Sequence, residues 1–243
     1  MGAVIGIFSA KGGVGKTLLA TNLATAFALG HKVKTALIDL NPGSGTADLL
    51  LDLDPERSWQ DLRDVIGELT PQHIKLAVTP YQIGLDLLAS PPRISWNPTL
   101  DKSDLASLLD AFRGIYEVIL VDTPTGISEL TLSALELVDL RLITLTPDAP
   151  ALRTTARYLE SFPKNGPPTG LVISQHSPGA AITPTEIKDH LKKNLVGVLP
   201  IDSRGVWANI SYGEPCVNRK SSKLGGAIRS LSTRLLKMVN LNS

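Results

Sequence analysis

The feature that most constrains the fold is a short stretch rich in glycine and lysine, Lys11-Gly12-Gly13-Val14-Gly15-Lys16-Thr17, between an apolar run and a helical segment. The run Val4–Phe8 has the length of a buried strand, and Thr17–Leu29 has the apolar spacing of a helix. Consecutive glycines let several backbone N–H groups point into one concavity, and the start of a helix attracts negative charge. A strand, this loop and a helix in that order predict an open parallel sheet whose first loop binds phosphate groups.

The rest of the chain repeats this alternation, and most of its short runs are apolar throughout, as in parallel strands covered on both faces. We predict an α/β fold: a doubly wound, mostly parallel sheet with helices on both faces, forming one domain over residues 1–243. The predicted strands are Val4–Phe8, Thr35–Ile38, Val118–Val121, Leu142–Leu145, Leu171–Ile173 and Val196–Leu199. The predicted helices are Thr17–Leu29, Trp59–Ile66, Lys102–Phe112, Glu129–Leu137, Ala151–Ser161, Pro184–Lys193 and Leu224–Val239, and the predicted loops are Ser90–Pro98, Pro163–Pro168 and Ser177–Pro184.

Composition excludes several other classes of protein. With 43% hydrophobic and 19% charged residues, the chain can bury a sizeable core and is not disordered. The formal net charge of +1 argues against the whole molecule being a polyanion binder. The single cysteine, Cys216, excludes a disulfide framework and a multi-cysteine zinc site. The sequence shows no signal peptide and no apolar run of membrane-spanning length, so we expect a soluble, cytoplasmic protein.

The residues of the glycine-rich loop point to a nucleotide with magnesium. Lys16 is placed to neutralise the β- and γ-phosphates, and the Thr17 hydroxyl is placed to bind Mg²⁺. The alternative, a turn that only connects strand to helix, does not account for two lysines and the Gly-Lys-Thr ending. The loop departs from the common pattern G-x-x-x-x-G-K-[ST], since Ala10 occupies its first position.

This departure resembles the deviant Walker A motif, KGGxGK[ST], of the MinD/ParA family of P-loop ATPases, and the resemblance extends over nearly the whole chain. It implies an ATP-bound homodimer in which Lys11 reaches across the interface to the partner's phosphates. It also implies that ATP is bound by the loop residues Gly12, Gly13, Val14, Gly15, Lys16, Thr17 and Leu18.

Two aspartates end predicted strands, Asp39 after Thr35–Ile38 and Asp122 after Val118–Val121. Such carboxylates meet beside the loop, where they can hold the water shell of Mg²⁺; the alternative is a pair of surface-turn aspartates. The predicted metal residues are therefore Thr17, Asp39 and Asp122. The stretch Asp122-Thr123-Pro124-Thr125-Gly126 is similar to the family's second switch, D[ST]PxG.

The first switch differs from the pattern of MinD-like members, D-x-D followed by a further Asp, because Asn41 stands at the second carboxylate and Asp48 at the last. An amide can orient water but cannot accept its proton. Phosphoryl transfer depends mainly on positioning and charge, so we expect slow or partner-stimulated ATP hydrolysis. The catalytic candidates are Lys11, Lys16 and Asn41.

The resemblance also implies a site for the base. Ser174 and Gln175 stand where many family members place an adenine-reading Asn, and Pro200-Ile201-Asp202 matches the family's later base-cradling loop. Base contacts are therefore predicted for Ser174, Pro200 and Asp202. The alternative for Ser174 is a strand-end hydroxyl satisfied by backbone.

Within the family, the stretch Thr146–Arg153 (TPDAPALR) resembles CpaE/TadZ-type proteins, which help localise pilus assembly machinery. The hypothesis is a dimerisation switch that positions a pilus or secretion apparatus through a protein partner of a polar or envelope machine, with recruitment to the membrane or pole by that partner.

Two other functions stay open. A ParA-like partition ATPase would bind nonspecific DNA, and residues 203–243 carry seven Lys or Arg against one acid; the alternative is a solvated helix face. A MinD-like or flagellar-placement regulator would need an amphipathic tail beyond the last helix. Only four residues follow Leu224–Val239, so we do not expect direct membrane insertion.

Overall fold

The computed structural model of the protein describes residues 1–82, 84–91, 100–162 and 165–239. Its strands are β1 (Ala3–Phe8), β2 (Thr35–Asp39), β3 (Thr79–Gln82), β4 (Leu85–Leu88), β5 (Val118–Asp122), β6 (Leu140–Leu145), β7 (Thr169–His176) and β8 (Asn194–Pro200). They form one sheet in the order β3-β4-β2-β5-β1-β6-β7-β8. All neighbouring pairs are parallel except β3 with β4, which is antiparallel. The predicted doubly wound, mostly parallel sheet is confirmed.

The α-helices are α1 (Lys16–Thr25), α2 (Pro71–Ala77), α3 (Lys102–Arg113), α4 (Glu129–Leu137), α5 (Ala149–Glu160), α6 (Pro184–Leu191), α7 (Ser203–Tyr212) and α8 (Lys223–Met238). A π-helical turn, Ala26–Gly30, extends α1, and 3₁₀ helices cover Leu49–Leu51, Trp59–Glu68 and Cys216–Asn218. A capping box begins α6: the Thr183 hydroxyl accepts from the Glu186 backbone N–H, and the Glu186 carboxylate accepts from the Thr183 backbone N–H. No helix in the described part of the chain is long and apolar enough to cross a membrane.

Some predicted elements differ from the structure. The segment predicted as a helix over Trp59–Ile66 is a 3₁₀ helix, and α2, α7, β3 and β4 were not predicted. The loops predicted at Ser90–Pro98 and Pro163–Pro168 fall partly on residues 92–99 and 163–164, which lie outside the described residues, as do residues 240–243 of the tail.

Apolar side chains cover both faces of the sheet. Ile5 and Ile7 of β1 pack with α1 and α8 on one face, and the intervening strand positions pack with the helices of the other face. Because central strands are buried on both sides, their carboxyl ends are held in place. Phe8, Asp39 and Asp122 end three adjacent strands, β1, β2 and β5, at the same edge of the sheet.

Candidate functional site

The glycine-rich loop is open on its concave side. Gly13 and Gly15 have φ angles of 76° and 85°, in the left-handed region that favours glycine. A Cβ atom added at Gly12, Gly13 or Gly15 would meet nothing within 4 Å. Gly15 also precedes the first turn of α1, which no side chain of the described residues caps. The loop therefore presents unpaired backbone N–H groups to an open cradle, as an anion site requires.

Lys16 and Thr17 converge on the carboxylate of Asp122. Lys16 Nζ lies 2.7 Å from Asp122 Oδ1, and the Thr17 hydroxyl donates to Asp122 Oδ2 at 2.7 Å. The Lys16 side chain is 6% exposed and Asp122 is fully buried. A buried cation and a buried carboxylate stabilise each other's charge. This contact places Lys16, which is predicted to bind phosphate, beside Asp122, which is predicted to bind metal.

Asn41 joins Asp122 to Asp39, the residue opposite it on β2. Its side-chain amide donates to Asp39 Oδ1 at 2.7 Å and to Asp122 Oδ2 at 3.0 Å. Burial, and then the charge of Asp122, raise the pKa of Asp39 to about 6, against hydrogen bonds from Asn41 and Ala47 that lower it. Asp39, Asp122 and the Thr17 hydroxyl form a set of oxygen donors of the kind that Mg²⁺ prefers.

Two cavities lie near the ends of β1, β2 and β5, and the charge of their linings distinguishes them. The cleft above the loop has a volume of about 720 Å³ and is lined by loop residues, Asn41 and the Pro124–Thr125 turn. A larger cavity of about 910 Å³ is lined by six acidic side chains: Asp39, Asp48, Asp54, Glu56, Asp61 and Asp64. Clustered carboxylates repel a phosphate chain. The smaller cleft is therefore the candidate nucleotide site.

Ser174, which is predicted to contact the base, and its neighbour Gln175 both donate to backbone carbonyl oxygens. The Ser174 hydroxyl lies 2.8 Å from the Val14 carbonyl oxygen and 3.3 Å from that of Leu145. The neighbouring Gln175 amide donates to the Gly13 carbonyl oxygen at 2.9 Å. These side chains support the glycine-rich loop, a function that the sequence pattern did not reveal for Gln175.

Asp202 follows Pro200, the last residue of β8, and binds two helix ends. Its carboxylate accepts from the Gly205 backbone at the start of α7, and from the Ser222 hydroxyl and the Leu224 backbone at the start of α8. Burial alone would raise the pKa of the Asp202 carboxyl, but these hydrogen bonds together outweigh it and lower the pKa. The structure thus gives Asp202 a capping function that sequence reasoning missed.

Lys11 lies at the rim of the loop. Its side chain is half-exposed, and its Nζ is 3.6 Å from the carboxylate of Asp148, which caps α5. Lys11 thus points to a neighbouring helix end, whereas Lys16, Thr17 and Asn41 line the cleft.

The basic C-terminal segment is partly occupied by internal contacts. Arg229 and Arg234 donate to the backbone carbonyl oxygens of Val217 and Val196, and Arg219 pairs with Glu214. These contacts favour the interpretation that this segment is a packed helix with a solvated basic face.

A parallel sheet whose first strand runs through a glycine- and lysine-rich loop into a helix, with carboxylates at the ends of the next strands, defines a phosphate-loop nucleotide-binding protein. The family model described as "CobQ/CobB/MinD/ParA nucleotide binding domain" matches residues 5–216, and the chain belongs to this family. The resemblance inferred from the loop motif is confirmed.

Individual relatives agree with this assignment. The chain is 30% identical to the septum site-determining protein MinD of Neisseria meningitidis, over 97% of this chain and 92% of that protein. Its fold matches a ParA family ATPase from Chlorobium tepidum with a TM-score of 0.88 at 21% identity, covering 96% and 99% of the two chains. It also matches a chain of the MinC:MinD cell division protein complex of Aquifex aeolicus, with a TM-score of 0.80 at 28% identity over 97% and 96% of the two chains.

Proposed function

We propose that the protein is an ATP-dependent dimerisation switch that positions a cellular machine and hydrolyses ATP slowly. The observation that carries this proposal is the meeting of Lys16, Thr17 and Asp122 at 2.7 Å beneath an open glycine cradle. In this proposal the whole chain, residues 1–243, acts as one ATPase domain.

The residues of the cleft fit magnesium and a triphosphate. The open faces of Gly12, Gly13 and Gly15 leave room for a phosphate chain against backbone N–H groups. Lys16 is the cation for the β- and γ-phosphates, and Thr17, Asp39 and Asp122 are the oxygen ligands for Mg²⁺ or its water shell. Bound MgATP supplies the cleavable γ-phosphoryl group, whose charge Lys16 stabilises. To do so, Lys16 exchanges its contact with Asp122 for phosphate oxygens.

Asn41 is the reason to expect slow hydrolysis. Its amide hydrogens are engaged with Asp39 and Asp122, and an amide has no basic site that accepts a proton from water. The side-chain oxygen of Asn41 is the group that remains to orient a water molecule. Turnover that rests on positioning alone is slower than turnover assisted by a base, so a partner that improves the positioning would stimulate it.

In this proposal, Lys11 links the binding of ATP to dimerisation. An exposed lysine at the rim of the loop has the reach to contact phosphates across an interface, as in the deviant Walker A pattern. A nucleotide shifts such an equilibrium only by binding the dimer better than the monomer, and a γ-phosphate contacted by Lys11 of the other subunit provides that difference.

The comparisons support a positioning function without selecting the machine. The septum site-determining relatives favour a MinD-like regulator, which acts through protein partners and the membrane, as strongly as the Thr146–Arg153 stretch favours pilus or secretion apparatus. In both cases we propose a cytoplasmic protein that a partner recruits to the membrane or pole. Partition on nonspecific DNA is the less favoured alternative, because three of the seven basic residues in 203–243 already have internal partners.

The test is molar mass by light scattering with MgATP, with MgADP and without nucleotide. We expect a dimer only with MgATP, its loss in Lys11→Ala, and its retention in the control Lys75→Ala, which removes an exposed lysine far along the chain. A mass that does not respond to nucleotide would reject the switch. Salt-dependent DNA binding by the ATP-bound dimer alone would favour partition over placement of an envelope machine.

A further inference from the structure

A second buried cation lies away from the nucleotide cleft. Arg141 is the second residue of β6, four residues before the strand's carboxyl end, which places it about 13 Å below that end. Its side chain lies on the same face as Ile143 and Leu145, under α5 and α6. Only 3% of Arg141 is exposed to solvent.

The guanidinium of Arg141 is incompletely satisfied. Its Nε donates to the Leu135 carbonyl oxygen at 2.6 Å, near the end of α4, and its carbon lies 5.2 Å from the centre of the Phe162 ring. Within the part of the chain that the structure describes, its Nη2 atom has no hydrogen-bond partner and no carboxylate forms an ion pair with the guanidinium. A buried arginine normally has an anionic partner, because an uncompensated charge is costly away from water.

A cavity of about 540 Å³ opens beside this guanidinium. It is lined by Arg141, Phe162, Gly166 and Thr169, with one further cation, Lys193, and one acid, Glu160, at its exposed edge. Gly166 lies directly against the guanidinium: a Cβ atom added there would approach Arg141 Nη2 to 2.2 Å. Any side chain at position 166 would therefore displace the guanidinium.

We propose that this cavity binds the oxyanion group of a small molecule, a phosphate or a carboxylate. The planar guanidinium presents donors in a fork that matches two oxygens of such a group, and Lys193 adds a second positive charge at the entrance. The bound oxyanion neutralises the buried charge of the Arg141 guanidinium, which lines the cavity. The site is separate from the nucleotide cleft and independent of the function proposed for it.

The experiment is a ¹H–¹⁵N NMR titration of the full chain with inorganic phosphate and with succinate, against sodium chloride at matched ionic strength. We expect saturable shifts of the Arg141 Nε–H and of the Gly166 and Thr169 amides. Shifts of the glycine-rich loop amides report the nucleotide cleft separately. The tighter of the two anions identifies a phosphate or a carboxylate ligand.

Variants separate binding from a structural function of Arg141. Lys193→Ala and Gly166→Ala should each weaken binding roughly tenfold, the first by removing a charged contact and the second by displacing the guanidinium. Arg141→Met should abolish binding, and the exposed control Lys188→Ala on α6 should leave it unchanged. Shifts that grow linearly as with chloride, or affinities of Lys193→Ala and Gly166→Ala equal to that of the wild type, would show that Arg141 only ties α4 to Phe162. The two mild variants decide the matter even if Arg141→Met does not fold.

Discussion

Asn41 lies between two buried carboxylates, and its amide donates to Asp39 Oδ1 at 2.7 Å and to Asp122 Oδ2 at 3.0 Å. A neutral donor at this position offsets the repulsion between the two acids. An aspartate in its place would have no hydrogen to donate at neutral pH and would add a third negative charge.

We expect Asn41→Asp to destabilise the nucleotide-free protein by about 1–3 kcal/mol at pH 7, because it replaces two buried hydrogen bonds with repulsion. Under the proposed function it should also raise the rate of MgATP hydrolysis, since the carboxylate can accept a proton from water. Urea unfolding in EDTA and a phosphate-release assay measure the two effects. The exposed substitution Asn165→Asp is the matched control and should change neither. Unchanged stability would contradict the bridging function of Asn41, and an unchanged rate would show that a missing base does not limit turnover.

Asp39 gives the fold a pH dependence of a definite sign. Burial and the charge of Asp122 raise its pKa from 3.8 to about 6, so the folded protein holds a proton there that the unfolded chain releases. Between about pH 4 and pH 6 the folded state therefore binds more protons, and this group's contribution to stability falls as the pH rises. Above pH 6 the contribution of Asp39 to the free energy of unfolding is fully lost. A pKa difference of this size corresponds to about 3 kcal/mol.

Asp39→Asn should remove this contribution. The free energy of unfolding of the wild type minus that of Asp39→Asn, from urea titrations in EDTA at pH 4, 5, 6 and 7, should decrease across this range and then level off. A difference that is constant with pH would mean that Asp39 titrates near its ordinary pKa in the folded protein.

Among the elements, α7 and α8 are joined through one carboxylate. Asp202 accepts from Gly205 at 3.0 Å in α7, and from the Ser222 hydroxyl at 2.6 Å and Leu224 at 3.2 Å in α8. A single side chain thereby binds the starts of both helices, next to the strand end that the sequence had assigned to the base site.

Asp202→Ala should lower the free energy of unfolding by about 2 kcal/mol, the upper range for one cap, because hydrogen bonds at two helix ends are lost. Thr183→Ala, which removes the cap of α6 alone, is the comparison and should cost about 1 kcal/mol. Urea unfolding measures both. Equal losses in the two variants would show that the contacts of Asp202 with α8 contribute nothing.

Elements with a local signal were predictable, and elements defined by distant contacts were not. The loop Lys11–Thr17, the central strands and the capping box at Thr183 follow from neighbouring residues alone. The strand β3 has only four residues, includes Pro80 and pairs only at the sheet edge, so no pattern marks it. The segment Trp59–Glu68 has helical apolar spacing, but forms a 3₁₀ helix whose Trp59 Nε1 donates to the Asp39 carbonyl oxygen.

The same distinction holds for individual side chains. Lys16, Thr17, Asp39 and Asp122 are predicted to bind phosphate and metal from their positions at strand ends and in the loop, and the structure brings them together. Buried Asn22 and Asn209 were not predicted, although their 2.8 Å hydrogen bond joins α1 to α7 and Asn209 also donates to the Leu50 carbonyl oxygen. Such a pair, separated by 187 positions along the chain, carries no sequence signal until the fold brings its members together.

At the scale of the whole molecule, the two anion-attracting regions lie at different depths of one sheet. The nucleotide cleft occupies the carboxyl ends of β1, β2 and β5, and the Arg141 cavity opens near the start of β6. The rim of the first carries Lys11, which is half-exposed and lies beside the partly exposed Asp148.

The contact between Lys11 and Asp148 predicts how the proposed dimer is controlled. Because the 3.6 Å pair is half-exposed, it is worth about 0–1 kcal/mol, and dimerisation must release it if Lys11 is to reach the partner's phosphates. Asp148→Asn keeps an oxygen to cap Ala151 and removes the charge. Because the dimer releases two such pairs, we expect this variant to dimerise with MgATP at a concentration up to about thirtyfold lower than the wild type, measured by light scattering over a dilution series. Adding Lys11→Ala should erase the difference between Asp148→Asn and the wild type. Weaker dimerisation of Asp148→Asn would instead show that Asp148 contributes to the interface, and that Lys11 is not restrained in the monomer.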